Sequence, residues 1–168
     1  MSGEDSVTVT SLGHEDWDAV RAIYSEGIAT GQATFEVEAP TWAVWDSSHF
    51  PFGRLVARQG GKIAGWAALA PVSDRCVYGG VAEVSLYVGA AHRGEGIGSL
   101  LLSRLIEVSE RHGIWTLQAG IFPENLASVQ VHRRAGFRDV GVRERLGKLN
   151  GRWRNVLLME RRSTVVGK

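Results

Sequence analysis

The chain has 168 residues, of which 44% are hydrophobic and 22% charged, and its formal net charge at pH 7 is +1. This composition excludes a disordered or fibrous protein, and the near-zero charge argues against a nucleic-acid or anionic-membrane partner. No apolar stretch of the sequence approaches the roughly 20 residues of a membrane span. The single cysteine, Cys76, excludes an internal disulfide and suits a reducing compartment. We therefore expect one cytoplasmic domain over residues 1–168.

Hydrophobic periodicity and turn residues predict helices and strands along the whole chain. The first half contains a strand over Val7–Leu12, a helix from His14 to about Thr30, a short helix that starts at Pro40-Thr41, and a hairpin of Arg54–Arg58 and Ile63–Ala70. The second half contains a strand over Val81–Val88, a helix over Ile97–His112, a strand over Thr116–Ile121, a helix over Asn125–Ala135, and strands over Phe137–Arg143 and Arg152–Glu160. Hairpins followed by strand–helix–strand crossovers predict an α/β fold with a mixed, twisted central sheet and helices on both faces.

The most informative segment is Arg93-Gly94-Glu95-Gly96-Ile97-Gly98, which lies between the strand ending at Val88 and the helix that follows. Glycines let backbone N–H groups approach phosphate oxygens because no Cβ stands between them. The start of the helix offers unpaired N–H groups and the positive end of its dipole, and Arg93 adds a cation. The segment predicts a pyrophosphate-binding pocket; the alternative is that its glycines only shape a turn.

Two common phosphate-binding motifs are excluded by the residues present. A dinucleotide fingerprint needs a glycine where this chain has Ser99, and an acidic residue after the next strand, where none stands. A P-loop needs Gly-Lys followed by Ser or Thr, which is also absent.

The segment instead matches the pattern R-x-x-G-x-G, and it resembles the acetyl-CoA pyrophosphate loop of the GNAT superfamily of acyl-CoA-dependent N-acyltransferases. The residues from Asn125 to Phe137 (NLASVQVHRRAGF) are similar to that family's N-x-x-(A/S)-x-x-(hydrophobic)-(Y/H)-x-(K/R)-x-G-F segment. Two such motifs in the right order are far more specific than either alone, and the resemblance covers nearly the whole chain.

The resemblance implies the GNAT fold, with acetyl-CoA as co-substrate and no metal. It places the pantetheine arm along Leu86-Tyr87-Val88, where a backbone N–H near Tyr87 faces the thioester carbonyl. It places the pyrophosphate on the loop of residues 93–98 and the adjoining Ser99. Asn125 and Arg134 are carried over as further contacts to the cofactor.

Acetyl transfer to an amine needs a proton acceptor, and Glu83 interrupts the apolar strand three residues before Leu86. We expect Glu83 to be the general base, directly or through water; the alternative is that it faces solvent or pairs with an arginine. His132 stands where many family members have a tyrosine that protonates the departing thiolate, so the resemblance implies a general acid or proton relay. A structural histidine is the alternative, and the change from tyrosine leaves the direction of proton transfer open. Cys76 has no recognisable base partner, which favours direct attack in a ternary complex over an acyl-enzyme.

Further residues resemble landmarks of phosphinothricin acetyltransferases and their relatives that acetylate methionine sulfoximine and methionine sulfone. These landmarks are Ala33-Thr34-Phe35, Pro40-Thr41, Arg75 with Tyr78 and Glu83, and Gly151-Arg152-Trp153. They imply a small amino-acid-like substrate, acetylated on its α-amino group, and a homodimer. Arg75 would bind the substrate carboxylate, although a surface arginine is the alternative; Phe35 and Tyr78 would line the pocket beside Glu83, and Trp153 would close it.

Two rival functions remain open at this point. An enzyme that acetylates a protein N-terminus or another amine would have an open groove in place of a carboxylate pocket. A non-catalytic acyl-CoA-binding module would keep the Arg93 loop but would have no need of Glu83.

Overall fold

The computed structural model describes residues 6–168. Strands and helices follow one another in the predicted order, and three short 3-10 turns lie between them. The strands are β1 (Val7–Ser11), β2 (Leu55–Gln59), β3 (Lys62–Pro71), β4 (Val81–Val88), β5 (Thr116–Ile121), β6 (Arg138–Leu149) and β7 (Arg152–Arg162). The helices are α1 (Trp17–Ala29), α2 (Trp42–Ser48), α3 (Ile97–Arg111) and α4 (Leu126–Arg134). None of the helices in this part of the chain is long and apolar enough to cross a membrane.

The strands form a seven-stranded sheet in the order β1-β2-β3-β4-β5-β7-β6. All neighbouring strands are antiparallel except β4 and β5, which are parallel and are joined by the crossover helix α3. Their pairing covers only Val81↔Thr116, Ala82↔Leu117 and Glu83↔Gln118. Beyond Glu83 the ladder between β4 and β5 ends, so the sheet opens as a wedge at its centre.

Helices cover both faces of the sheet, because successive side chains of a strand point to opposite faces. On β3, Ala67 and Leu69 belong to the core beneath α3, whereas Trp66 and Ala68 belong to the core beneath α1 and α2. The mixed sheet with helices on both faces, predicted from the sequence, is therefore confirmed.

The last hairpin departs from its predicted boundaries. The prediction ended the strand at Arg143, whereas β6 continues to Leu149. It continues through an irregularity: Arg143 pairs with Val156 and Gly147 pairs with Arg154, so residues 144–146 oppose a single residue of β7. Asn150-Gly151 forms the predicted turn, with φ of +50° and +80°.

Candidate active site

A cleft of about 540 Å³ opens where β4 meets the start of α3. Every residue predicted to bind the cofactor, except Glu95, lines it. These residues are Leu86, Tyr87, Val88, Arg93, Gly94, Gly96, Ile97, Gly98, Ser99, Asn125 and Arg134. The Glu95 carboxylate instead lies 3.5 Å from Nδ1 of His92.

The glycine-rich loop has the geometry of an anion cradle. Gly94 and Gly96 have φ of +81° and +82°, a backbone conformation that glycine adopts without strain. A Cβ built on either residue would meet no atom within 4 Å, so the space above the loop is open. Gly96 is the N-cap of α3, and the first N–H groups of that 15-residue helix have no partner within the helix.

Cations complete the phosphate side of this cleft. Arg93 and Arg134 line it, and within residues 6–168 neither guanidinium forms an ion pair or a hydrogen bond. Arg133, the neighbour of Arg134, is by contrast held by Asp139 at 2.5 Å. Free guanidinium groups, open glycines and a helix start together fit the pyrophosphate of a coenzyme A.

Asn125 has both of its side-chain atoms engaged within the protein. Its Oδ1 accepts a hydrogen bond from the Ser128 backbone N at 3.3 Å and so caps α4. Its Nδ2 donates to the Gln32 carbonyl oxygen at 3.2 Å. The residue thereby fixes the loop after α1 against α4, between two clefts.

The second cleft, of about 370 Å³, lies in the central wedge of the sheet. It meets the first cleft at Ala33, Leu86, Tyr87, Asn125 and Ser128, which line both. Of the residues predicted for catalysis or substrate, Phe35, Glu83 and His132 line it. The Glu83 side chain is exposed in this cleft, and it forms no ion pair within the described residues.

The His132 ring is 3% exposed, and its Nδ1 lies 2.7 Å from the carbonyl oxygen of Ser128. A carbonyl oxygen only accepts, so Nδ1 carries the proton and Nε2 of the neutral ring has the free lone pair. Burial lowers the pKa of His132, partly opposed by the hydrogen bond to Ser128. Since the neutral form is favoured, Nε2 is available as a proton acceptor.

A cluster of hydroxyl groups lies beside the shared wall, and the sequence prediction did not include it. The ring of Tyr24 stacks on that of Tyr87 with the centroids 4.9 Å apart, and Thr34 lines the cleft beside them. Burial raises the pKa of both phenols, so they remain protonated hydrogen-bond donors. The Glu36 carboxylate adds to both shifts, and all four residues line the second cleft. In the sequence, the consecutive residues Thr34, Phe35 and Glu36 were the feature that could have indicated this cluster.

Three residues predicted to bind substrate lie outside both clefts. Arg75 is exposed, and its guanidinium lies 5.5 Å from the ring centroid of the exposed Tyr78. Trp153 is exposed on β7, where the Lys148 ammonium lies over its ring at 4.9 Å. The sequence prediction also did not include Arg143, which lines the second cleft from β6.

An anion cradle joined to a second cleft with a carboxylate and an imidazole fits an acyl-CoA-dependent transferase. The model of the acetyltransferase (GNAT) family matches residues 17–137, and the chain belongs to that family. Membership confirms the predicted family and its fold.

Individual proteins show what this chain is similar to. The L-methionine sulfoximine/L-methionine sulfone acetyltransferase of Salmonella typhimurium is 28% identical, over 92% of this chain and 93% of the relative. The phosphinothricin acetyltransferase of Sinorhizobium meliloti, solved in complex with acetyl-CoA, has a TM-score of 0.85 and 28% identity over 93% of this chain and 88% of its own. The ribosomal-protein-alanine N-acetyltransferase of Brucella melitensis also has a TM-score of 0.85, with 29% identity over 93% and 99% of the two chains. The chain is thus an N-acetyltransferase that uses acetyl-CoA.

Proposed function

We propose that this enzyme acetylates the α-amino group of a small amino-acid-like substrate, of the phosphinothricin, methionine sulfoximine or methionine sulfone type. The observation that carries the proposal is the small second cleft, which is lined by Phe35, Glu83 and His132. A cleft of about 370 Å³ suits a single amino acid. The names of the Salmonella and Sinorhizobium relatives point to the same substrate class.

Acetyl-CoA supplies the acetyl thioester, and the residues of this chain position it and manage the protons. The open edge of β4 between Leu86 and Val88 offers backbone groups to the pantetheine arm, because β5 pairs with β4 only as far as Glu83. Arg93, Arg134 and the loop hold the phosphates. The thioester end then lies at Leu86 and Tyr87, which border both clefts.

Glu83 is the proposed general base, which takes a proton from the substrate ammonium directly or through water. His132 is the proposed relay: its Nε2 accepts the second proton, which the attacking nitrogen loses as the C–N bond forms, and donates it to the thiolate that leaves as the C–S bond breaks. This order follows from the bond between Nδ1 and Ser128, which makes Nε2 an acceptor at the start of the cycle. General-base catalysis of this kind contributes roughly 10²- to 10⁴-fold.

The test is release of CoA from acetyl-CoA with phosphinothricin, methionine sulfoximine, methionine sulfone, the common amino acids and a peptide with a free N-terminus. Glu83→Gln should lower kcat by roughly 10²-fold or more without weakening acetyl-CoA binding. Glu107→Gln is the matched control, since Glu107 is an exposed carboxylate on α3, outside both clefts. Activity on the peptide alone would favour the alternative of an enzyme that acetylates a protein N-terminus, and acetyl-CoA binding without transfer would favour a non-catalytic module.

We also propose a homodimer, which the resemblance implies, with β6 as the contact between subunits; the cytoplasmic location expected from the composition stays a prediction. This strand is the edge of the sheet, it is 12 residues long, and Val140 and Val142 are exposed on it. A long edge with exposed apolar side chains is a ready pairing surface. Light scattering on the purified protein tests the proposal, and a monomeric mass at micromolar concentration would overturn it.

A further inference from the structure

The side chains that line the second cleft carry more negative charge than positive charge. Two carboxylates line the cleft, Glu36 and Glu83, together with one guanidinium, that of Arg143. An amino-acid substrate brings a carboxylate of its own into this space. Such an anion is repelled by the acidic side chains unless a cation faces it.

Arg143 is available for that task. Within residues 6–168 its guanidinium has no ion pair and no hydrogen bond. Arg138 and Arg154 of the same hairpin are occupied: Arg138 pairs with Glu160, and Arg154 donates to the Gly31 carbonyl oxygen at 2.8 Å. The side chains of Arg145 and Arg152 have no partner among these residues either, but they line neither cleft. Arg143 shares its unpaired state with Arg93 and Arg134, the two guanidinium groups of the phosphate side.

The course of β6 brings this part of the strand to the cleft. Directly after Arg143 the strand bulges, and three residues oppose one on β7. Within the bulge Arg145 has φ of +48°, and its backbone N–H donates to Oδ1 of Asn155 at 2.9 Å. Leu146 also lines the cleft, and a Cβ on Gly147 would approach the Phe35 ring to 3.1 Å. Bulges are over-represented next to active sites, and this one borders the cleft through Leu146.

We propose that Arg143 binds the carboxylate of the substrate, a role the sequence prediction assigned to Arg75; this inference rests on the proposed function. A planar guanidinium meets a carboxylate with two parallel N–H···O bonds. Glu83, which lines the cleft from β4, then binds the ammonium group of the substrate. The cleft orients a zwitterion, with its amine toward the thioester at Leu86 and its carboxylate toward β6.

The experiment compares pairs of amines that differ only in the carboxylate. Methionine sulfone, or the best amino acid of the wild-type panel, is measured beside its amide, and kcat/KM is obtained for both. Wild type should have a higher kcat/KM for the acid than for the amide. Arg143→Gln should lower that ratio by about 10- to 100-fold through a higher KM for the acid, because this is the effect of losing one charge-assisted hydrogen-bonded pair. Arg143→Lys should recover part of it. Arg152→Gln is the control, since Arg152 is exposed on β7, outside both clefts.

Arg75→Gln is measured in the same series, and the outcomes separate the hypotheses. If Arg75→Gln removes the preference and Arg143→Gln keeps it, the assignment to Arg143 is overturned while the proposed function stands. A wild-type enzyme that acetylates acid and amide equally well overturns carboxylate recognition alone. A wild-type enzyme that acetylates no amino acid overturns the proposed function and, with it, the role of Arg143.

Discussion

The ring of His132 shows how one backbone contact determines the chemistry of a side chain. Sequence reasoning identified the position but left two directions of proton transfer open. The Ser128 carbonyl oxygen holds the proton on Nδ1, and this supports the proposal that Nε2 first accepts a proton. Which nitrogen of a histidine is protonated depends on such partners, and sequence motifs do not contain that information.

Burial of His132 also predicts a dependence of stability on pH. Its pKa is lowered in the folded protein. The unfolded chain therefore binds more protons, and native stability falls as the pH drops from about 6.5 through the lower folded pKa. Urea unfolding at pH 7.5 and pH 5.5 should show a larger acid loss for wild type than for His132→Phe. Burial lowers the pKa of His49 as well, but His49 is present in both proteins, so its contribution cancels in the comparison. Equal losses in the two proteins would contradict this account of His132.

The contrast between Arg75 and Arg143 marks the limit of sequence reasoning at the level of residues. The position of the glycine-rich loop at the start of α3 could be predicted because residues 93–98 are consecutive and lie directly before that helix. The second cleft is assembled from distant strands. Arg143 lines it from β6, and the register of β6 with β7 is not visible in the sequence.

Among the elements, the start of α3 allows a matched pair of substitutions. Gly96→Ala should destabilise the protein by about 1–2 kcal/mol, because alanine is strained at positive φ. Gly98 lies inside the helix, and a methyl group there would meet Val88 at 3.6 Å, an ordinary contact. Gly98→Ala should therefore leave stability unchanged or raise it by up to about 1 kcal/mol. Thermal melts give both values, and equal losses in the two variants would argue against the φ requirement.

The loop after α1, which Asn125 fixes from α4, is also held by a guanidinium on β7. Arg154 donates to the Gly31 carbonyl oxygen at 2.8 Å and to Oε1 of Gln32 at 2.7 Å, and it lies over the Phe122 ring at 4.0 Å. Arg154→Met would leave the Gly31 carbonyl oxygen without this donor. It would also loosen the loop that carries Phe35 into the second cleft. We expect a loss of about 1–3 kcal/mol in urea unfolding, together with a higher KM for the amine.

Arg152→Met, which changes an exposed arginine on the same strand, is the control for Arg154→Met. It should alter neither the free energy of unfolding nor KM. If Arg154→Met behaves in the same way, the loop is held by other contacts, such as the bond from Asn125 to Gln32.

At the scale of the whole molecule, the order of strands and helices along the chain was predicted correctly, because hydrophobic periods of two and 3.6 residues are local signals. Those periods contain no sign of the wedge. β4 and β5 both read as ordinary strands, and only the tertiary structure shows that their ladder ends at Glu83. The open backbone edge that results is stabilised when another strand-like group pairs with it, which is the place proposed for the pantetheine arm.

The wedge further predicts the kinetic order of the reaction. Because the two clefts share Leu86 and Tyr87 as a wall, donor and amine can be bound at the same time and react directly. Initial rates should give intersecting double-reciprocal lines, and Cys76→Ser should keep full activity, since Cys76 is exposed and lines neither cleft. Parallel lines, or acetylated protein in intact-mass spectra after incubation with acetyl-CoA alone, would instead require a covalent intermediate. The nucleophile would then be a side chain near Tyr87. Among the described residues that line both clefts, Ser128 carries a hydroxyl group, so Ser128→Ala would be the first variant to test.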